Sequence, residues 1–202
     1  MLGRLHVLTD ARPGRDAVAV ARAALAAGAP LFQVRVEDGV HDRDFLDFAA
    51  EVRALCRVYG ATCLINDRVD IALAVQADGV HLGAFDLPVS VARRLLGSSA
   101  IIGATSRDAA GARAALVDGA DYVGVGPCYH TSTKDGLPDP IGPAGLELAA
   151  HVGLPAIAIG GVTLERVPEL LEAGAYGVAV VGAVNSADDP GVATKALLKA
   201  LS

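Results

Sequence analysis

Short apolar runs alternate with stretches of helical periodicity eight times along the chain. The runs are four to six residues long and nearly continuous in Val, Ile, Leu and Ala, which is typical of parallel strands covered on both faces. The predicted strands are residues 5–9, 31–35, 62–66, 79–82, 100–105, 122–126, 156–160 and 177–181. The predicted helices are residues 15–27, 42–59, 69–75, 89–96, 108–118, 143–151, 164–173 and 190–201.

Eight strand–helix units predict an α/β fold in which parallel strands close into a compact (β/α)8 barrel, the TIM barrel. The competing fold is a doubly wound open sheet. The turn after the first strand, at residues 10–14, lacks the glycine pattern of a dinucleotide site. The chain has 202 residues, of which 52% are hydrophobic and 20% charged, which suffices for one core. Residues 1–202 are therefore predicted to form a single domain.

The formal net charge of −6 argues against a general nucleic-acid binder, which needs an excess of Lys and Arg to neutralise phosphates. No apolar run approaches the roughly 20 residues of a membrane span. The N-terminal ten residues do not resemble a signal peptide. The three cysteines are scattered, without zinc spacing or a disulfide framework. These features predict a cytoplasmic protein with no nucleic-acid or membrane partner.

Polar side chains gather where the predicted strands end. Gln33 and Arg35 end the second strand, Asn66 ends the third, and Thr105 ends the fifth. In a barrel the active site lies at this rim, where strands run into the loops before the helices. His81 also lies near a strand end, but its apolar surroundings predict a hydrogen-bonded core residue rather than a base.

Three glycines after the last two strands, Gly160, Gly161 and Gly182, predict a phosphate site. Barrels often bind a phosphate at this place through backbone N–H groups and a helix N-terminus, and glycine lets the backbone approach the oxygens. The alternative is a tight turn that binds nothing.

Asp67 and Asp86 follow neighbouring strands and could together hold one Mg²⁺ ion, with water and phosphate completing its shell. The alternative for Asp86 is a helix cap before Pro88. For Asp67 it is a helix cap or an ion pair with Arg68.

The longest loop follows the sixth strand and carries residues 131–134 (TSTK), whose hydroxyls and lysine could bind a phosphate. The alternative is a solvated surface loop. Gln33 and Arg35 alternate with Val34, so both face the barrel mouth, where a bound anion would satisfy the guanidinium.

Taken together, these motifs resemble the thiamine-phosphate synthase family and its sister group, the TenI-like thiazole tautomerases, over essentially the whole chain. The matching segments are residues 33–35 (QVR), 66–72 (NDRVDIA), 77–83 (ADGVHLG), 120–127 (ADYVGVGP), 131–134 (TSTK) and 158–162 (AIGGV). The family fold is a compact (β/α)8 barrel, in agreement with the strand pattern.

The synthase resemblance implies a Mg²⁺-dependent transferase of thiamine biosynthesis. A hydroxymethylpyrimidine diphosphate loses pyrophosphate while the ring nitrogen of a thiazole phosphate attacks its methylene carbon. The positions matching Gln33, Arg35 and Asn66 hold the pyrimidine diphosphate, and those matching Asp67 and Asp86 bind Mg²⁺.

The resemblance also assigns the remaining site residues. Thr105 stands where a serine contacts the diphosphate, and Lys134 matches the family lysine, so that Arg35 and Lys134 are the catalytic candidates. The positions that match the thiazole phosphate site are Thr131, Thr133, Gly161, Val181 and Gly182. The implied partners are small molecules, and the resemblance leaves a homo-oligomer open.

The chain departs from the synthase pattern at four positions. Glu37 replaces a lysine, Ala84 replaces a glutamine, Thr105 replaces a serine, and Arg107 stands in a turn where a histidine is usual. Strand alternation places Glu37 on the side of Arg35 if the strand stays regular that far, and Arg107 could then supply the lost positive charge.

Two alternatives to a synthase follow from these departures. Glu37 and Ala84 favour a thiazole tautomerase, although the histidine that tautomerases use as acid and base is Arg107 here. A non-catalytic protein that binds thiazole phosphate would keep the glycines alone. The synthase is favoured because Asn66, the two metal aspartates and Lys134 are present together.

Overall fold

Eight parallel strands close into a barrel in the order β1 to β8, in a computed structural model that describes residues 2–133 and 136–202. The strands are β1 (Leu5–Leu8), β2 (Leu31–Val34), β3 (Thr62–Asn66), β4 (Gly79–Leu82), β5 (Ile101–Ser106), β6 (Tyr122–Val125), β7 (Ala156–Ala158) and β8 (Gly177–Val180). The pairing of β1 with β8, in which His6 lies opposite Ala179, completes the circle. The predicted (β/α)8 barrel is confirmed.

Helices follow the strands and cover the outside of the barrel. They are α1 (Ala17–Ala26), α2 (Asp42–Tyr59), α3 (Val69–Val75), α4 (Val89–Leu96), α5 (Ala109–Asp118), α6 (Gly142–Ala150), α7 (Val167–Glu172), α8 (Gly182–Asn185) and α9 (Pro190–Ala200). The bounds of α2, α3 and α4 are those predicted. None of the helices in the described chain is long and apolar enough to cross a membrane.

Two differences from the predicted helices matter for the site. The helix expected over residues 164–173 divides into a 3-10 helix, Leu164–Arg166, and α7, which has a proline in its first turn. The four-residue helix α8 begins at Gly182, directly after β8, and was not predicted as a helix. Both breaks lie at the rim where the strands end.

Asp side chains and left-handed glycines set several helix ends. The Asp16 carboxylate accepts the backbone N–H of Ala19 at 2.9 Å at the start of α1, and Asp108 accepts that of Gly111 at 2.8 Å before α5. Gly60, with a φ of 69°, ends α2 in the left-handed region that favours glycine. These caps fix the residue at which each helix begins or ends.

The core has two layers because strand side chains alternate between the barrel interior and the helices. A large outer cluster lies between the sheet and the helices. A smaller inner cluster fills the barrel with Leu8, Leu31, Leu64, Tyr122, Ile157 and Ala179. The interior is therefore packed with side chains, and the rim above it is left to form a cavity.

Candidate active site

A cavity of about 450 Å³ opens at the ends of the strands, and every strand or the loop directly after it contributes to its wall. The predicted site residues that line it are Gln33, Arg35, Asn66, Asp67, Thr105, Thr131, Thr133, Gly160, Gly161, Val181 and Gly182. Asp86 lies beside the cavity, next to the lining residue Gly83. Lys134 lies outside the residues that the structure describes. The barrel thus brings together side chains that are spread over most of the sequence.

Two amide side chains form a pair at the ends of β2 and β3. Nε2 of Gln33 donates to Oδ1 of Asn66 at 2.6 Å, and Gln33 is almost fully buried. This contact occupies one donor of Gln33 and one acceptor of Asn66. Both residues line the cavity, and this contact does not use the carbonyl oxygen of Gln33 or the amino group of Asn66.

Arg35 is held at the cavity wall by its backbone and by its side chain. Its N–H donates to the hydroxyl oxygen of Thr9 at 2.8 Å, and the Thr9 hydroxyl donates to its carbonyl at 2.6 Å. Its guanidinium pairs with the Glu37 carboxylate, with Nη1 3.0 Å from Oε1 and Nη2 3.4 Å from Oε2. The positive charge of Arg35 is therefore already partnered inside the protein.

Glu37 lies beside Arg35, as strand alternation suggested, but neither Glu37 nor Arg107 lines the cavity. The strand β2 ends at Val34, so Glu37 lies beyond the regular part and pairs with Arg35 without lining the cavity itself. Nη2 of Arg107 donates to the backbone carbonyl of Asp139 at 2.6 Å, and Arg107 is not part of the cavity wall. Arg107 thus adds no charge to the cavity wall among the described residues.

Asp67 and Asp86 border the same small space beside the backbone of Gly83. A Cβ atom built on Gly83 would lie 3.0 Å from Oδ2 of Asp86 and 4.0 Å from Oδ1 of Asp67. The Gly83 N–H donates to Oδ2 of Asp86 at 2.6 Å, which orients this carboxylate. Asp67 has a φ of 64°, in the left-handed region that non-glycine residues rarely adopt, and its N–H donates to the His81 carbonyl at 2.8 Å.

The helix-cap alternatives for these two carboxylates are not what the structure shows, since neither α3 nor α4 has a side-chain cap. Helix α4 has Pro88 as its N-cap and no side-chain cap, so Asp86 does not cap it. The guanidinium of Arg68 pairs with Asp42 at 2.7 Å and with Asp70 at 2.6 Å. In the described chain no group of three or more His, Cys, Asp or Glu side chains could hold a metal. Two carboxylates do suit Mg²⁺, which keeps water and phosphate ligands in the rest of its shell.

His81 links the cavity to the barrel interior. Its Nδ1 lies 3.0 Å from the hydroxyl of Tyr122, and its Nε2 lies 3.0 Å from the hydroxyl of Thr105. Two glycines leave room for this arrangement: a Cβ on Gly103 would lie 2.1 Å from Cζ of Tyr122, and one on Gly124 would lie 2.9 Å from Cε1 of His81. The prediction of a hydrogen-bonded histidine thus agrees with these contacts.

The contacts of His81 also indicate where its proton lies. Burial raises the pKa of Tyr122 far above its usual range, so its hydroxyl keeps its proton. A buried hydroxyl needs an acceptor, and Nδ1 of His81 is the partner in place. If Nδ1 of the neutral ring accepts from Tyr122, Nε2 carries the proton and donates to Thr105, and the Thr105 O–H can then donate to a ligand in the cavity.

The glycines after β7 and β8 form a cup, which we define as Gly160, Gly161 and Gly182. Gly160 and Gly161 have φ values of 92° and 65°, and a Cβ on Gly161 would lie 2.4 Å from the His130 carbonyl oxygen. At Gly182, by contrast, a Cβ would face the cavity, with Cγ2 of Thr133 at 4.0 Å. Backbone packs tightly behind the cup, and its mouth is open.

Residues 130–133 of the loop after β6 lie against this cup. The hydroxyls of Thr131 and Thr133 are 2.9 Å apart, and both residues line the cavity together with Ser132.

The buried thiol of Cys128, earlier in the loop, has its pKa raised to about 11 by desolvation, so it is not a thiolate nucleophile at neutral pH.

One cationic lining residue, Arg166, was not among the predicted site residues. It ends the 3-10 helix after β7 and borders the cavity beside Gly161 and Val162. In the sequence it stands between Glu165 and Val167 within an amphipathic stretch, which reads as the exposed face of a helix. The proline at the start of α7 was the available signal that this helix begins one residue after Arg166.

A model of the thiamine monophosphate synthase family matches residues 5–184. The chain belongs to the thiamine monophosphate synthase family. It is 56% identical, over all of its length and 98% of that protein, to the thiamine-phosphate synthase of Salinispora arenicola. It is 45% identical, over 96% of its length and 90% of that protein, to the thiamine-phosphate synthase of Chloroflexus aurantiacus.

A solved structure gives the same result at the level of the fold. Thiamine phosphate pyrophosphorylase from Pyrococcus furiosus is 37% identical and superposes with a TM-score of 0.88, over 98% of this chain and 95% of that one. The predictions of the family, of a transferase and of a thiamine-phosphate synthase activity are confirmed by this full-length similarity.

Proposed function

We propose that this cavity binds a hydroxymethylpyrimidine diphosphate and a thiazole phosphate side by side and joins them into thiamine phosphate, with release of pyrophosphate. The observation that carries the proposal is that one cavity is bordered by two separate anion-binding groups. The first lies at the ends of β2 to β5, where Arg35 and Thr105 offer donors and the two aspartates would attract an anion only through a bound Mg²⁺ ion. The second is the glycine cup after β7 and β8.

In the proposed reaction the bond between the methylene carbon and the diphosphate oxygen breaks, and its electron pair leaves with the pyrophosphate. The lone pair of the thiazole nitrogen forms the new carbon–nitrogen bond. The transition state gathers negative charge on the leaving group, so catalysis depends on cations and donors fixed around that group. No general base is needed for these two events.

The pyrimidine diphosphate would lie against the Gln33–Asn66 pair, which offers an acceptor and a donor to the polar edge of a pyrimidine ring. Arg35 and the Thr105 hydroxyl would contact the diphosphate, and Lys134 is assigned there by the resemblance. Asp67 and Asp86 would hold a Mg²⁺ ion, which supplies positive charge to the leaving group when it is bound.

The thiazole phosphate would lie at the other end of the cavity. Gly160, Gly161 and Gly182 offer backbone N–H groups to its phosphate, and Thr131 and Thr133 offer hydroxyls from the loop above. Val181, which precedes Gly182, would contact the thiazole.

The compartment is proposed to be the cytoplasm. In support, all three cysteines are buried free thiols, as expected of a protein kept under reducing conditions.

The direct test is to incubate the purified protein with both substrates and Mg²⁺ and to measure pyrophosphate and thiamine phosphate. Asp67→Asn should remove most of the turnover and weaken Mg²⁺-dependent binding of the pyrimidine diphosphate, measured by calorimetry without the thiazole. Asp47→Asn, at an exposed position on α2, is the matched control and should behave as the wild type.

Two outcomes would contradict the proposal. Full activity in excess EDTA would exclude a role of Asp67 and Asp86 in holding a metal. Absence of pyrophosphate with both substrates, in a protein that still binds or isomerises thiazole phosphate, would instead favour the tautomerase or the non-catalytic binding protein.

A further inference from the structure

The guanidinium of Arg166 is held in a fixed position beside the glycine cup. Its central carbon lies 4.1 Å from the centroid of the Tyr129 ring, within the range of a cation–π contact. Its Nη1 donates to the backbone carbonyl of Gly161. The Tyr129 ring is itself fixed, because its hydroxyl donates to Oε2 of Glu169 at 2.6 Å. Arg166 is therefore clamped between the loop after β6 and the loop after β7.

The distribution of charge on the cavity wall shows what Arg166 adds near the cup. In the described residues, the wall carries the cations Arg35 and Arg166 and the carboxylate Asp67. Arg35 is paired with Glu37 on the far side of the barrel mouth. No ion pair among the residues described includes Arg166. Near the cup, glycine N–H groups and threonine hydroxyls offer hydrogen bonds, and Arg166 adds a full positive charge.

The contact between Arg166 and Gly161 has a second effect on the cup. A backbone carbonyl near a phosphate opposes its binding, because both carry negative charge. Here the guanidinium engages this carbonyl and uses one of its five N–H donors, so others are left for an anion. A phosphate monoester carries nearly two negative charges at neutral pH and forms its strongest hydrogen bonds with charged donors.

We propose that Arg166 binds the phosphate of the thiazole substrate and sets the preference of this protein for phosphorylated over unphosphorylated thiazole. This inference rests on the proposed function, since it takes the glycine cup to be the thiazole phosphate site. Arg166 contacts the substrate far from the bond that forms, so it acts on substrate affinity rather than on the chemical step.

The test is to measure KM for thiazole phosphate and for the unphosphorylated thiazole alcohol in Arg166→Gln. KM for the phosphate should rise on the order of tenfold or more, as expected for a lost charge-assisted contact, with little change in kcat. KM for the pyrimidine diphosphate and for the thiazole alcohol should stay unchanged. Arg113→Gln, which removes an exposed arginine of α5 outside the cavity, should leave all these constants as in the wild type.

A purely structural role of Arg166 gives a different result. If the arginine only fastened the two loops, Arg166→Gln would impair both thiazoles equally, and the inference would be wrong. Tyr129→Phe keeps the ring under the guanidinium and removes its contact with Glu169, so it should change phosphate affinity less than Arg166→Gln does. Arg166→Lys, which keeps the charge without the planar fork, should fall between wild type and Arg166→Gln.

The outcome is separable from that of the proposed reaction. If the wild type releases pyrophosphate and Arg166→Gln has an unchanged KM for thiazole phosphate, the inference alone fails. If the wild type releases no pyrophosphate, calorimetry with thiazole phosphate still decides. Weaker binding to Arg166→Gln would then support the inference, and equal binding would overturn it.

Discussion

The ion pair between Arg35 and Glu37 places a carboxylate next to a cation that the proposed function assigns to the diphosphate. The substrate must compete with Glu37 for the guanidinium, and Glu37 also repels its negative charge. Glu37→Gln should therefore lower KM for the pyrimidine diphosphate severalfold, since about 1 kcal/mol of repulsion is expected for partly screened charges. Glu37→Lys should lower it further. The measurement is steady-state kinetics at low ionic strength.

The control for this change is Glu51→Gln, at an exposed position on α2, which should not alter KM. The opposite result is also informative. If Glu37→Gln raises KM, the carboxylate serves mainly to hold Arg35 in place, and the substrate does not displace it.

A buried histidine in the barrel makes stability depend on pH. His6 is 1% exposed, and desolvation lowers its pKa from 6.5 to about 3, while its Nε2 contacts the Gly3 carbonyl at 3.0 Å. Below about pH 6.5 the unfolded chain takes up a proton that folded His6 does not, so stability falls as the pH falls from about 6.5 toward 3. At about pH 5 this difference amounts to about 2 kcal/mol.

We expect His6→Leu to lose this part of the pH dependence. The free energy of unfolding in urea, compared between about pH 7 and pH 5, should fall less in the variant than in the wild type. Carboxylates with lowered pKa, such as Asp10 beside Arg12, destabilise both proteins alike in acid and cancel in the comparison. His151→Gln, at an exposed histidine, should retain the wild-type slope; an identical slope in His6→Leu would show that His6 titrates normally.

At the scale of elements, a substitution in the loop after β8 should weaken phosphate binding without lowering stability, whereas one in the loop after β7 should affect both. Gly182→Ala adds a methyl group that faces the cavity, so the free energy of unfolding should stay within about 0.5 kcal/mol. KM for thiazole phosphate should nevertheless rise, on the order of tenfold, because the phosphate loses its approach to the backbone. Urea unfolding and kinetics on the same variant check both parts.

Gly161→Ala is the matched contrast to that variant. Its Cβ would lie 2.4 Å from the His130 carbonyl in a left-handed conformation, so it should lower stability by about 1–3 kcal/mol as well as impair binding. A normal KM in folded Gly182→Ala would mean that the phosphate lies elsewhere in the cavity.

The same loops show how far the sequence predicts this protein. The periodic elements were predictable because apolar alternation and helical spacing extend over enough residues, and three helices have the predicted bounds. Helix α8 has only four residues, too few to show a helical period. Arg166 was missed because it lies where a 3-10 helix gives way to α7, and the sequence pattern does not show that change. Alternation placed Glu37 on the side of Arg35, where the ion pair is found. It could not predict that Glu37 stays outside the cavity wall, because β2 ends at Val34, before both residues.

At the scale of the whole molecule, the cavity wall takes residues from all around the barrel. Leu8 of β1, Asn66 of β3, Thr105 of β5 and Val180 of β8 all line it. A ligand that contacts the whole wall binds the closed barrel. It does not bind a state in which one strand–helix unit has come apart from the others. Saturating thiazole phosphate should therefore raise Tm and stabilise the folded barrel by mass action.

Amide hydrogen exchange would record this dependence on the closed circle. Leu31 and Tyr122 begin β2 and β6, at the ends of the strands farthest from the cavity. If their amides exchange only when the barrel opens, a ligand bound at the opposite rim slows their exchange as much as that of Thr105 beside it. Protection confined to the rim would instead show that the strands open one at a time. A small molecule held at one end of the barrel would thus govern the exchange lifetime of hydrogen bonds that it never touches.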